Sequence, residues 1–197
     1  MGRLMRAITT SRMNYVLSFA LDLACALWMA YLGVRDAVPW TMAIASFAAG
    51  AFAFTLIEYG THRWFFHERG KFAASVHRSH HEHPAAPTAL PFFSSPVAAV
   101  AGSWLLPPFL LCGLFSAYFY YSLLHHLQHC VRGSSIRLHW LQRRWRAHAA
   151  HHARPNTNFG VTTAFWDRVF GTHYLPARRG ILASNSAASR VSVPSAP

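Results

Sequence analysis

Carboxylates are scarce in this chain. Six Asp and Glu stand among 197 residues, against 18 Lys and Arg and 14 His. A hard-cation site built from clustered carboxylates, as Ca²⁺ and Mg²⁺ require, has almost no residues to draw on. Only 12% of the chain is charged, about half the usual share, and 53% is hydrophobic. Disorder, coiled coil and collagen are excluded on that composition. Cysteine is sparse too. Cys25, Cys112 and Cys130 lie far apart with no CxxC, which argues against a disulfide framework and against Cys-ligated zinc. The net charge of +12 has no helix-turn-helix, zinc-finger or RNA-binding signature beside it, so it points to cationic loops at a membrane surface.

What the chain has is long apolar runs. Met13–Val34 carries one charge, Asp22, and follows Arg3, Arg6 and Arg12. It is longer than the core of a signal peptide, no good cleavage site follows, and it is expected to span a membrane. Val38–Tyr59 is a second run, charged only at Glu58, and the short turn between them makes the pair antiparallel. From Pro84 to Leu124 there is no charge and no His, and Pro107-Pro108 divides the stretch. It reads as a helical hairpin that crosses wholly or in part. The expected architecture is all-α: about four membrane helices, near residues 13–34, 38–59, 94–106 and 108–128, with a cytoplasmic helical cap. Residues 1–12 form the N-terminal segment, 13–179 the domain and 180–197 a disordered tail. Seventeen of the eighteen cations flank the runs on one side, with Arg35 alone in the first turn. By the positive-inside rule both termini and every His cluster face the cytoplasm.

Ten histidines fall into four spaced motifs. His62 and His67 form HxxxxH, His77, His80 and His81 HxxHH, His125 and His129 HxxxH, and His148, His151 and His152 HxxHH. Spacings of three and four bring imidazoles onto one helix face and aim each of the last three motifs at one point. HxxxxH fits a straight helix poorly, since residues five apart differ by about 140°. His62 and His67 need a bent helix end, or serve two metals from opposite sides. Ten imidazoles exceed the capacity of one metal and suit two. Structural zinc needs four ligands, haem one or two, and the three Glu (Glu58, Glu68, Glu82) cannot supply the soluble di-iron pattern. A histidine-rich di-iron centre fits best. His83, His126, His139 and His173 stand outside the motifs.

A ligand His usually donates its other N–H to an acceptor. Glu58, four residues before His62, and then Asp167 are the candidate carboxylates, though Asp167 could instead pair with Arg168 or Arg154. Asp22 in mid-helix is costly and has no evident partner in the sequence. Phe65, Phe66, Phe92, Phe93, Trp104, Phe159 and Trp166 either line an acyl path or anchor at the interface.

The four motifs in this order resemble the fatty acid hydroxylase/sterol desaturase superfamily of integral-membrane di-metal oxidases. EYGTHRWFFH resembles the first box of the fatty acid 2-hydroxylases, YYSLLHHLQH their HxxxH segment, and NFGVTTAFWDRVFGTHY their closing motif. The resemblance covers Leu56–Tyr174. It implies that the ten motif histidines bind two irons, with zinc a possible substitute on purification, and that O2 and two electrons hydroxylate a lipid C–H bond, most closely that of a fatty acyl chain. Electrons would come from a separate donor: a cytochrome b5-like protein, a ferredoxin or a flavoprotein reductase. A sterol or carotenoid hydroxylase or desaturase is the alternative of the same chemistry. A non-redox membrane zinc protein is the alternative of another class, and the lack of an HExxH base argues against a hydrolase. No partner among nucleic acids is expected.

Overall fold

The computed structural model describes residues 2–69 and 71–175. The expected tail, 180–197, lies outside them. The described residues form helices and connecting loops, with no strand. A short α1 (Gly2–Thr9) precedes α2 (Arg12–Arg35), whose start is capped by Ser11 accepting the N–H of Asn14 at 3.1 Å. A tight turn, with Ala37 at φ 53°, leads into α3 (Trp40–Gly60). The helix then widens into a π-helical segment, Thr61–Arg69, and α4 (Lys71–Glu82) follows. Next come α5 (Ser94–Ser103), α6 (Pro108–Cys130), α7 (His139–Ala153) and α8 (Phe165–Val169).

Helix α6 packs along both α2 and α3. Two glycines set the closeness of the α3–α6 crossing. A Cβ on Gly50 would stand 2.0 Å from the Leu110 carbonyl oxygen, and one on Gly113 would stand 2.0 Å from that of Phe47. Backbones meet directly there, as they do where small residues pack membrane helices. The apolar core between α2, α5 and α6 holds Cys25, Ala26, Met29, Ala99, Leu111, Cys112 and Phe115.

Two helices, Arg12–Arg35 and Trp40–His67, are long and apolar enough to cross a membrane, and only 33% and 17% of their apolar windows are buried. Leu27, Trp28, Ile44 and Phe52 all project outward, the pattern of a helix bathed in lipid. Helix α5 is shorter than expected. Ten residues rise about 15 Å, half the hydrocarbon thickness. It ends at Ser103 because Leu105 and Leu106 both turn back to the Gly102 carbonyl ahead of Pro107.

Asp22 finds its partner in the hairpin. Asn14, Ser18 and Asp22 line one buried face of α2 at four-residue intervals. Asn14 and Ser18 donate to the Leu90 carbonyl, Asn14 accepts the Phe92 N–H, and Ser95 donates to Asp22 at 2.5 Å. The stripe straps the 84–95 segment onto α2, and the carboxylate sits by the first turn of α5, where a helix dipole favours negative charge.

Candidate metal centre

The ten motif histidines converge in two groups of five. His62, His67, His77, His81 and His151 form one, and His80, His125, His129, His148 and His152 the other. Within each group one nitrogen per imidazole lies within 4.8 Å of all the rest. His83, His126, His139 and His173 belong to neither.

The partition follows from helix geometry. On α4, His77 and His81 are one turn apart and point to the first group, while His80 is rotated about 100° from His81 and reaches the second. Helix α7 does the reverse: His148 and His152 serve the second group and His151 crosses to the first. Each HxxHH thus serves both groups, rather than the single point that its spacing suggested. Each group combines one doublet, one i, i+4 pair and one crossing histidine, an internal quasi-two-fold arrangement.

The π-helical segment resolves the awkward HxxxxH. Hydrogen bonds in a π-helix run from i to i+5, so residues five apart come onto the same face. His62 and His67 accordingly enter the same group, with ring centroids 5.2 Å apart.

The imidazole contacts fit a cation. His77 Nε2 lies 3.0 Å from the Nε2 atoms of His62, His67 and His81, and His81 Nε2 lies 3.1 Å from that of His151. In the second group, His129 Nε2 lies 3.2 Å from His125 Nε2 and 2.9 Å from His148 Nε2. One nitrogen among three others can satisfy at most one by a hydrogen bond. The Nδ1 atoms of His62 and His151 face the carbonyls of Phe159 and Thr157 at 2.6 and 2.7 Å, and a carbonyl only accepts, so each Nδ1 carries the proton. That leaves the Nε2 lone pairs aimed inward. Two nitrogens about 2.1 Å from a shared cation and at right angles would stand about 3.0 Å apart. Both nitrogens of His80 and of His152 are buried without a hydrogen-bond partner, and a bound cation would satisfy one nitrogen of each ring.

The same burial keeps the rings neutral. Burial, reinforced by the imidazoles of His129 and His81, pulls His80 down to about 3. Burial pulls His151 to about 3 as well, against the hydrogen bond to Thr157. Neutral imidazole is the form that binds metal.

Glu58 and Asp167 are both buried, yet their bonds go to a loop rather than to an imidazole. Glu58 accepts the N–H groups of Val161 and Thr162 at 2.5 and 3.1 Å, and the Thr162 hydroxyl. Asp167 accepts the N–H groups of Phe159 and Gly160 at 2.8 and 3.0 Å and the Thr172 hydroxyl at 2.7 Å, so neither Arg168 nor Arg154 is its partner. The loop in turn presents the Phe159 carbonyl to His62. Sequence reasoning named the two carboxylates as direct acceptors; the backbone carbonyls of Phe159 and Thr157 take that place, and carbonyls leave no signal in side-chain identity. Asn158 and Gly160 were also missed. Asn158 sits at φ 53° and bonds Ala147 and Tyr174, and a Cβ on Gly160 would meet the Thr163 carbonyl at 2.1 Å.

Of the seven aromatics expected to line a path, Phe66 and Phe159 have ring contacts with the histidine groups. Trp104 is 84% exposed, while Trp166 donates to Thr55.

The sequence profile of the fatty acid hydroxylases matches residues 47–172. The chain belongs to this family. All four histidine motifs of this chain fall within the matched residues. Its relatives include the ceramide very long chain fatty acid hydroxylase scs7 of Schizosaccharomyces pombe, 31% identical over 162 residues, 72% of this chain and 46% of that protein. The dihydroceramide fatty acyl 2-hydroxylase FAH2 of Arabidopsis thaliana is 30% identical over 142 residues, 64% of this chain and 59% of that one. This chain therefore spans about half the length of these relatives. Among solved structures, full-length scs7p, with only its hydroxylase domain visible, has the same fold: TM-score 0.67 at 24% identity, over 86% of this chain and 71% of the other.

Proposed function

We propose that this fatty acid hydroxylase is an integral-membrane di-iron enzyme that hydroxylates a C–H bond of a fatty acyl lipid with O2. The observation that carries the reading is the double ring of five inward-facing imidazoles. The ten histidines are its metal ligands. Bound there, a pair of irons would supply O2 activation, with two electrons and two protons converting C–H and O2 to C–OH and water. The protein's own part is orientation and exclusion of water. Carbonyls of Phe159 and Thr157 hold His62 and His151 in the Nε2-inward tautomer, Glu58 and Asp167 hold the loop carrying Phe159, and Phe66 and Phe159 cover one flank of the first group. Electrons come from a separate redox protein, of the cytochrome b5, ferredoxin or flavoprotein reductase kind.

In this reading α2, α3, α5 and α6 form the membrane bundle, with α5 entering part-way, and α4, α7 and α8 form the cap. Multi-pass topology with both termini and the cap in the cytoplasm follows from the distribution of Lys and Arg. The names of the relatives support an acyl chain carried by ceramide or a free fatty acid over a sterol or carotenoid.

Two measurements test it. Metal analysis of the purified chain should give two irons, with turnover that needs O2 and reductant; full activity with zinc alone and no O2 would sink the reading in favour of a non-redox zinc protein. Lipid mass spectra of cells carrying the wild type should show a +16 product that a His151→Ala, His152→Ala variant lacks. No such difference would refute lipid hydroxylation.

A further inference from the structure

A cavity of 90 Å³ opens against His80, His125 and His129 of the second group. Its remaining walls are Tyr15, the strap Pro84–Thr88, His126 and Cys130, and no histidine of the first group contributes. The volume is far below the roughly 300–1,000 Å³ of a pocket that swallows a whole small molecule. It admits one end of a lipid and leaves the chain outside.

The wall has a polar side separate from the ligands. His126 turns away from His125 and meets the Tyr15 hydroxyl at 2.8 Å through Nδ1. Apolar rings continue from there. Tyr15 meets Phe19 edge to face at 5.2 Å, and Phe19 meets Phe119 in the same way at 6.1 Å, so half-buried aromatics run from the cavity along α2 and α6. The opposite wall is fixed in place: Asn14 and Ser18 hold Leu90, and the Ala89 N–H donates to the Thr9 carbonyl.

The geometry points to this cavity as the seat of the substrate's polar end and reacting carbon, so that the second group of histidines, His80, His125, His129, His148 and His152, holds the metal the substrate meets. Tyr15 and His126 bind the polar end, and the acyl chain follows Phe19 and Phe119 into the bilayer. This assignment rests on the lipid hydroxylase reading.

Cys130 is a built-in reporter, since it lines the cavity and is exposed while Cys25 and Cys112 are buried. In the metal-loaded protein in detergent, hexadecanoic acid or its ceramide should slow alkylation of Cys130 by N-ethylmaleimide about tenfold at roughly ten times Kd. Hexadecane, which has no polar end, should protect less. Cys130 labelling that neither polar lipid slows would overturn the assignment. In a second arm, Ala86→Phe should fill the cavity and abolish hydroxylation with metal content unchanged. Tyr15→Phe should raise KM for the acid with little change in kcat. Wild-type turnover by Ala86→Phe would overturn the assignment while leaving the hydroxylase reading intact. A parent chain with both metals that hydroxylates no lipid would instead sink the hydroxylase reading, and the labelling would still decide whether the cavity is a lipid site.

Discussion

His81 and His152 stack with ring centroids 4.3 Å apart and planes 25° from parallel, although they belong to different groups of five. The two groups therefore touch through imidazole faces, and their ten side chains include no carboxylate. Each group keeps its own nitrogens, so the two sites should be separable by mutation.

His67→Ala should remove one metal and leave the other, and His129→Ala should do the same from the opposite site. Metal content by plasma mass spectrometry should fall from two to about one per chain in either variant, and both metals should be lost in the double variant. Loss of both metals from each single variant would mean that the two groups form one site. The expected loss in affinity at the altered site is at least the 10–100-fold seen for supporting residues.

Asp167 holds three donors at once: two N–H groups of the loop that orients His62, and the Thr172 hydroxyl beyond α8. Asp167→Ala strands the Phe159 and Gly160 N–H groups in a buried site, at about 1–3 kcal/mol each. Thermal stability should drop, and metal affinity at the first site should fall more than at the second. Equal weakening of both sites would show that the loop acts on the whole cap and not through His62.

Gly50→Ala and Gly113→Ala each place a methyl against a backbone carbonyl of the facing helix, which cannot rotate away. Each should destabilise the protein by about 3 kcal/mol or more in detergent unfolding. Gly102→Ala is the control, since its methyl meets only the end of the Leu111 side chain, at 3.0 Å. Its effect should be clearly smaller.

Acid should unfold the metal-free protein through its histidines. Burial lowers the folded-state values of His80 and His151 to about 3, while in the unfolded chain His titrates near about 6.5. The unfolded state thus binds more protons below about 6.5. Stability from these groups is full above that pH and is lost as pH falls from about 6.5 towards 3. The melting temperature of the metal-free protein should be flat from about pH 8 to 7 and drop below about 6.5. A rise on acidification would contradict the buried neutral state. Bound metal should shift the drop to lower pH, because it competes with protons for the same lone pairs.

Much of this could be read along the chain. Apolar runs and their single charges outlined α2 and α3 to within two residues, because burial in lipid is a property of composition over a stretch. The ten histidines stood out because i, i+3 and i+4 spacing is local helix geometry. Local pattern could not place HxxxxH, since the π-helical widening at Thr61 is absent from an ideal helix. It also could not divide ten histidines into five and five. That division depends on how α4 and α7 face each other, so that His80 and His151 cross over. The roles of Glu58 and Asp167 were beyond it for the same reason: their partners are backbone N–H groups about 100 and 8 residues away, identical in every residue but proline. His126 looked ordinary until folding brought Tyr15, 111 residues earlier, to its Nδ1. The sequence by itself determined which side chains can bind metal and which segments seek lipid, because both are chemistry of residue types at short range. Only the tertiary structure decided which imidazoles cluster together, which carbonyls face them and which of them line the cavity beside Tyr15, because those are distances between segments that the chain connects only through its fold.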